Sequence, residues 1–247
     1  MIYLKTPTEI ERMRESGKIV RDALLLADSI VRAGVTTAEI NAAVEKLIRN
    51  AGAVPSFLNY NGFPASACVS VNGEVVHGIP GRRIIKDGDI VSVDVGAVKN
   101  GYHGDAARTF TVGAVKPEIL KLVRVTEECF FKAVESFKDG GRLGDIGEAV
   151  QRHAEGNGFS VVRALVGHGI GRVMHEDPAV PNYGTAGHGI RLSKGLALAI
   201  EPMINLGSYD VRTLSDGWTV VTADGKPSSH YENTVVLTSN GTEILTL

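Results

Sequence analysis

Apolar side chains recur at three- and four-residue steps through the first fifty positions, which is the spacing of amphipathic helices. Ile10, Met13, Gly17, Val20 and Leu24 mark one face. Thr6-Pro7-Thr8-Glu9 supplies a capping box with proline in the first turn, and the spacing carries this helix to about Gly34. Thr36-Thr37-Ala38-Glu39 repeats the capping signal, and Ile40, Ala43, Val44, Leu47 and Ile48 line a second helix that Asn50 and Gly52 end. From Ala67 the period drops to two. Asn72-Gly73 reads as one hairpin turn, and Asn100-Gly101 as another between strands over residues 90–98 and 102–112. After Pro117 helical spacing returns through Leu120, Val123, Phe130, Ala133 and Phe137. Asp145-Ile146-Gly147-Glu148 then opens a further helix, and strand-like runs follow from Ser160 to the end.

The order helix, helix, strands thus occurs twice, in pseudo-repeats of about 1–113 and 114–247. His77-Gly78-Ile79 and His168-Gly169-Ile170 echo one another in the two halves, although a third copy, at His188, sits in unrelated glycine-rich surroundings. No linker separates the halves, so they are expected to share one sheet and one core as a single domain over 1–247. The expected class is mixed α/β, an antiparallel sheet flanked by helices.

Composition narrows the classes of function. With 247 residues, 43% hydrophobic and 22% charged, the chain supports one sizeable core and is neither disordered nor fibrous. Twenty-six basic against 28 acidic residues leave a net charge of −2, which provides no global field for nucleic acid or an anionic membrane. Cys68 and Cys129 form no CxxC pair, which fits a reducing compartment. No signal-peptide pattern opens the chain, and its apolar runs fall far short of the roughly 20 residues that span a bilayer, so a cytoplasmic location is expected.

Several polar residues sit where apolar ones belong. In Ile90-Val91-Ser92-Val93-Asp94-Val95-Gly96 the valines share one face, and Asp94 lies on the other, in a strand that disfavours aspartate. Taken alone, Asp94 reads most simply as a solvated outer-face residue. Asp105, on the return strand in His103-Gly104-Asp105, changes that reading because the two carboxylates can converge. Like charges held close raise each other's pKa unless a cation neutralises them. Glu201 closes the apolar run Leu196-Ala197-Leu198-Ala199-Ile200, and Glu232 precedes Thr234-Val235-Val236-Leu237, with no lysines in register to pair them. His168, between Gly167 and Gly169, offers an imidazole on a tight turn. Four carboxylates and one imidazole form a hard, oxygen-rich set suited to Mn, Fe or Co and unlike a cysteine-rich structural zinc site. Spacing alone leaves open whether these strands meet.

Longer segments carry a resemblance. Asn59-Tyr60-Asn61-Gly62-Phe63-Pro64, His77-Gly78-Ile79-Pro80, Asp87 to Asp94, His103-Gly104-Asp105, Gly167 to Gly171, His175-Glu176-Asp177-Pro178, Ile200-Glu201-Pro202 and Asp216-Gly217-Trp218-Thr219 together resemble type I methionine aminopeptidase along nearly the whole chain. The resemblance implies the pseudo-two-fold pita-bread fold. It implies that Asp94, Asp105, His168, Glu201 and Glu232 hold two divalent ions (Co, Mn, Fe or Zn) that supply hydroxide for attack on the first peptide carbonyl. His175 would stabilise the oxyanion, Glu201 would carry the proton to the leaving amine, and His77 would bond the scissile amide or the residue after it. Tyr60, Phe63 and Trp218 would wall a methionine pocket, although aromatics are often plain core. Asn72 and Ser228 match positions that help hold a structural Na or K ion, and both are also ordinary turn residues.

Phe57, Met174 and Asn233 depart from the cysteine, phenylalanine and histidine usual in relatives. These changes are expected to bear on pocket shape and metal affinity. The implied substrates are nascent N-termini with small second residues, met by a monomer; contact with the ribosome would fall to surface charges of the catalytic domain. The rivals are an Xaa-Pro peptidase of the same superfamily, which usually carries an added N-terminal domain, and a non-catalytic binding protein on this fold, which would have lost ligands.

Overall fold

A computed structural model describes residues 1–247. The first half opens with helices α1 (Pro7–Ile30) and α2 (Thr37–Asn50), followed by strands β1 (Val54–Pro55), β2 (Ala67–Val71), β3 (Glu74–Val76), β4 (Ile90–Lys99) and β5 (Tyr102–Thr111). The second opens with α3 (Pro117–Ser136) and α4 (Leu143–Gly156). It continues through β6 (Ser160–Val161), β7 (Gly167–Gly169), β8 (Glu176–Val180), β9 (Ala197–Ile200), β10 (Met203–Asn205), β11 (Val211–Thr213), β12 (Val220–Thr222), β13 (Ser228–His230), β14 (Glu232–Thr238) and β15 (Gly241–Ile244).

The main sheet runs β1-β4-β5-β14-β9-β7-β8, with β2 on β4 and β15 on β14; its pairings are antiparallel. The halves meet where β5 pairs with β14. One hydrophobic cluster packs α1 and α2 on the first-half strands, and a second packs α3 and α4 on the other half. Val91, Val93 and Val95 are fully buried in the first cluster, each contributing roughly 1.5–3 kcal/mol. Ser92 and Gly96, on the other face of β4, are buried too, so neither face of this strand is solvated as a lone-residue reading of Asp94 would have it.

Both capping boxes form: Thr6 with Glu9 and Thr36 with Glu39. The first helix ends at Ile30, four residues short of Gly34. There the chain turns to pair with residue 85, whose carbonyl accepts from Gly34 N–H and whose N–H donates to Val35 O, both at 2.9 Å. The β4–β5 hairpin closes at Asn100-Gly101, both with positive φ as a tight two-residue turn needs. Asn72-Gly73 is a turn of a different kind. β2 pairs with β4 while β3 pairs with β12, so the chain passes from one sheet to another. Asn72 takes the positive φ of the turn, but pairing depends on distant strands that local sequence does not display. No helix is long and apolar enough to cross a membrane.

α1 crosses the sheet closely at Gly17. A Cβ there would lie 2.1 Å from the Leu245 carbonyl oxygen, and Ser16 Oγ donates to Tyr102 O at 2.7 Å. Gly17→Ala would favour an isolated helix, yet in this contact it is expected to cost about 1–3 kcal/mol through overpacking. Calorimetry should show a lowered melting temperature; an unchanged or raised one would mean that the C-terminal segment yields freely.

Candidate metal centre

Sheet register explains how distant carboxylates converge. Asp94 on β4 lies opposite Ala107 on β5, and Ala107 lies opposite Glu232 on β14. Cross-strand partners share a face, so the two acids flank the small Ala107 side chain in one transverse row. Asp105 sits two residues back on β5, hence on the same face. It is fixed by Thr234, whose Oγ1 accepts from Asp105 N–H and donates to Asp105 O, each at 2.9 Å. Ala199 on β9 pairs with Thr234 on one side and His168 on the other, and Glu201 follows immediately after β9.

His168 occupies the middle of strand β7 rather than a tight turn. Its neighbours are glycines because a Cβ at Gly167 would lie 2.4 Å from Ala199 O, and one at Gly169 2.2 Å from Asp177 O. β7 is therefore squeezed between β9 and β8. His168 Nδ1 donates to Gly169 O at 2.9 Å, which leaves Nε2 as a free lone pair. That Nε2 stands 3.7 Å from Asp105 Oδ2 and 3.8 Å from Glu201 Oε1.

The electrostatics are those of a cation site. Asp94 Oδ1, Asp105 Oδ1 and Glu232 Oε1 are buried without a hydrogen-bond partner. Burial pushes the Asp94 carboxyl up to about 7. Burial, and next the neighbouring Asp94 charge, holds Asp105 and Glu201 well above the ordinary range; burial and then Asp105 do the same for Glu232. Burial together with His175 holds the His168 imidazole down to about 3, keeping it neutral as a ligand must be. Orphaned carboxylate oxygens around a neutral imidazole fit divalent ions. Ligand atoms of Asp105, His168 and Glu232 lie within 4.8 Å of one another, as do those of Asp94, Glu232 and His230.

His230 was not anticipated. It is 1% exposed, with Nε2 3.7 Å from Glu232 Oε2. Its signal was present: His230 and Glu232 are two apart in a strand-like run, a spacing that sends both side chains to one face.

Above the acids lies a cavity of about 250 Å³. Its apolar wall comprises Phe57, Tyr60, Phe63, Cys68, Met174 and Trp218, and Phe63 meets Trp218 edge-on at 5.2 Å. Gly96 admits Phe57, since a Cβ there would lie 2.6 Å from that ring. His77 and His175 line the polar rim, and burial lowers the pKa of both. His175 Nδ1 is 2.8 Å from the Tyr60 hydroxyl, and its ring centroid is 4.1 Å from that of His168. The segment bearing His175 is tied down by the buried Lys5–Glu176 pair at 2.5 Å, while Glu176 Oε1 accepts from Arg172 and Val173 N–H.

Phe57 and Met174 thus line the pocket, as their departures from the usual residues suggested, but Asn233 does not. Strand alternation turns it away from Glu232, and its Oδ1 accepts from Arg108 and Thr246 instead. Asn72 and Ser228 adjoin through the Ser228 N–H to Asn72 O bond. Asn72 Oδ1 accepts from Ile90 N–H, and Ser228 Oγ donates to Ile204 O.

A sheet that gathers four acids and an imidazole beneath a pocket with one apolar wall forms a candidate divalent-metal centre. The model of metallopeptidase family M24 matches residues 11–239. Methionine aminopeptidase of Clostridium perfringens is 57% identical, covering 100% of this chain and 99% of its own. The crystal structure of methionine aminopeptidase from Thermotoga maritima superposes with a TM-score of 0.98 at 48% identity, covering 100% and 99% of the two chains. Prolidase from Pyrococcus furiosus is more distant, with a TM-score of 0.79 at 25% identity, and the match covers 99% of this chain but 65% of that one. The chain belongs to metallopeptidase family M24 and, within it, to the methionine aminopeptidases. Its fold is the pita-bread architecture.

Proposed function

We propose that this chain removes methionine from peptide N-termini, with Asp94, Asp105, His168, Glu201 and Glu232 holding two divalent ions. The observation that carries this reading is the convergence of these five side chains at the base of a pocket of about 250 Å³ with an apolar wall. Mn, Fe, Co and Zn all suit such a ligand set. The ions would supply Lewis acidity and a nucleophile at neutral pH. Both halves of the chain contribute ligands, so 1–247 acts as one catalytic unit. A structural Na or K ion would sit by Asn72 and Ser228, which adjoin through the Ser228 N–H to Asn72 O bond, and it would not enter the mechanism.

The remaining steps fall to the protein's own groups. Phe63 and Trp218 grip the methionine side chain by dispersion. A free α-amine would bind on the Asp94 side of the cluster, which would make a blocked N-terminus a poor substrate. Glu201 takes a proton from the attacking water and passes it towards the leaving amine. Tyr60 donates its hydroxyl hydrogen to His175 Nδ1, which leaves Nε2–H to stabilise the developing oxyanion. His77 holds the scissile amide or the residue after it.

His175→Ala is expected to lower kcat about a hundredfold or more with a small change in KM, because the lost bond strengthens only in the transition state. Steady-state kinetics on Met-Gly and Met-Leu peptides would check this together with the preference for small second residues. A fall confined to KM, or equal turnover of both peptides, would contradict the assigned roles. Against an Xaa-Pro peptidase stands the prolidase likeness, which is weaker and covers only part of a longer chain.

A further inference from the structure

The five-ligand arrangement leaves His230 without a task. Its side chain is buried, and neither Nδ1 nor Nε2 has a hydrogen-bond partner. A histidine that serves only to fill space finds a protein partner, as His103 does with Ser56 Oγ at 2.8 Å and His153 with Glu128 at 2.8 Å. His230 instead has Nε2 3.7 Å from Glu232 Oε2 and 3.8 Å from Glu201 Oε2. These gaps are too long for hydrogen bonds, whereas donor atoms that share one ion stand roughly 3 to 4 Å apart when each is about 2.1 Å from it.

His168 supplies the comparison. Its Nε2 faces Asp105 and Glu201 at 3.7 and 3.8 Å, so Glu201 is bracketed, with Oε1 towards His168 and Oε2 towards His230. The two groupings of potential ligand atoms have the same form: Asp105, His168 and Glu232 on one side, Asp94, His230 and Glu232 on the other. Each has two carboxylates, one imidazole and Glu232 in common.

Building on the two-ion reading above, we infer that His230 Nε2 is a sixth protein ligand, giving the ion on the Asp94 side an imidazole to match the one His168 gives its neighbour. A subsite made of carboxylates alone suits Mn; an added nitrogen donor tightens it and favours Co, Fe and Zn over Mn. It also restrains Glu201 from the side opposite His168, which fixes the carboxylate that carries the proton.

The first test is the crystal structure of the full chain loaded with Co(II), with ions located by anomalous scattering. The expected result is two ions among the acids, one of them about 2.0–2.2 Å from His230 Nε2. The second is calorimetric titration of metal-stripped wild type and His230→Gln with Co(II) and Mn(II). The variant is expected to keep one tight site and to lose tenfold or more in affinity at the other, with the larger loss for Co(II). Two ions seated on the carboxylates with both His230 nitrogens beyond about 3 Å, or a variant that titrates like wild type, would overturn the inference and leave the five-ligand reading standing. No ion among the acids would overturn both. The wild-type crystal decides the matter even if the variant does not fold.

Discussion

Glu201→Gln is expected to lower kcat about a thousandfold or more while the chain still folds. Glu201 has two duties in the proposed mechanism, as ligand and as proton carrier; general acid–base catalysis alone contributes roughly 10²–10⁴-fold. A thousandfold corresponds to about 4 kcal/mol of transition-state stabilisation. Glutamine keeps the shape and one oxygen, so the pocket and KM should change little. Folding should not suffer, because Glu201 is a buried acid whose pKa burial and Asp94 hold well above normal, and the neutral amide escapes that cost. Kinetics alongside melting of the metal-free proteins would check both halves of this expectation. A variant with near-normal kcat, or one that melts far below wild type, would remove Glu201 from its assigned place.

Metal-free protein is expected to be less stable at pH 8 than at pH 6. A carboxyl whose folded pKa exceeds its unfolded value binds protons more tightly in the fold; its contribution is complete below the unfolded value near 4 and is lost as pH rises through the folded one. For Asp94 the folded value is about 7, and Asp105, Glu201 and Glu232 are also raised, so their contribution declines from about pH 4 upward and is still being lost between pH 6 and 8. The buried imidazoles act with opposite sign. His168 and His230 are held down to about 3, so their contribution is present above the unfolded value near 6.5 and is lost as pH falls through 3.

Divalent metal removes the alkaline loss by stabilising the ionised acids, and the gain should therefore grow with pH. An ion at a thousand times its Kd contributes about 4 kcal/mol, and each kcal/mol raises the melting temperature of a chain this size by roughly 2–4 °C. Two ions at pH 8 should thus raise it by roughly 15 °C or more. Scanning calorimetry between pH 5 and 8, with chelator and with Mn or Co, is the check. Metal-free stability that rises from pH 6 to 8, or a metal shift of only a degree or two, would count against a buried carboxylate cluster.

Much of this was legible where local physics decides. The capping boxes at Thr6 and Thr36 announced their helices, and Asn100-Gly101 its hairpin. Asp94, Asp105, Glu201 and Glu232 stood out because carboxylates are disfavoured in strands and no lysines lie in register to pair them. Their convergence was not legible, since it depends on Ala107 pairing with Asp94 on one side and Glu232 on the other, across more than a hundred residues of chain. The same reason hid the divergence of β2 and β3 beyond Asn72-Gly73, and the strand in which His168 sits. Asn233 looked like part of the site because it adjoins Glu232, but strand alternation turns it to Arg108 and Thr246. His230 was overlooked although the same alternation pointed it inward. The family resemblance implied five ligands and no place for a sixth.

The measurement that bears most directly on the whole account is methionine release from a Met-Gly peptide by metal-stripped protein, before and after Mn, Co or Fe is restored, with the N-acetylated peptide alongside. The account predicts release only with metal and only from the free N-terminus. Release without metal, or equal release from the blocked peptide, would contradict it.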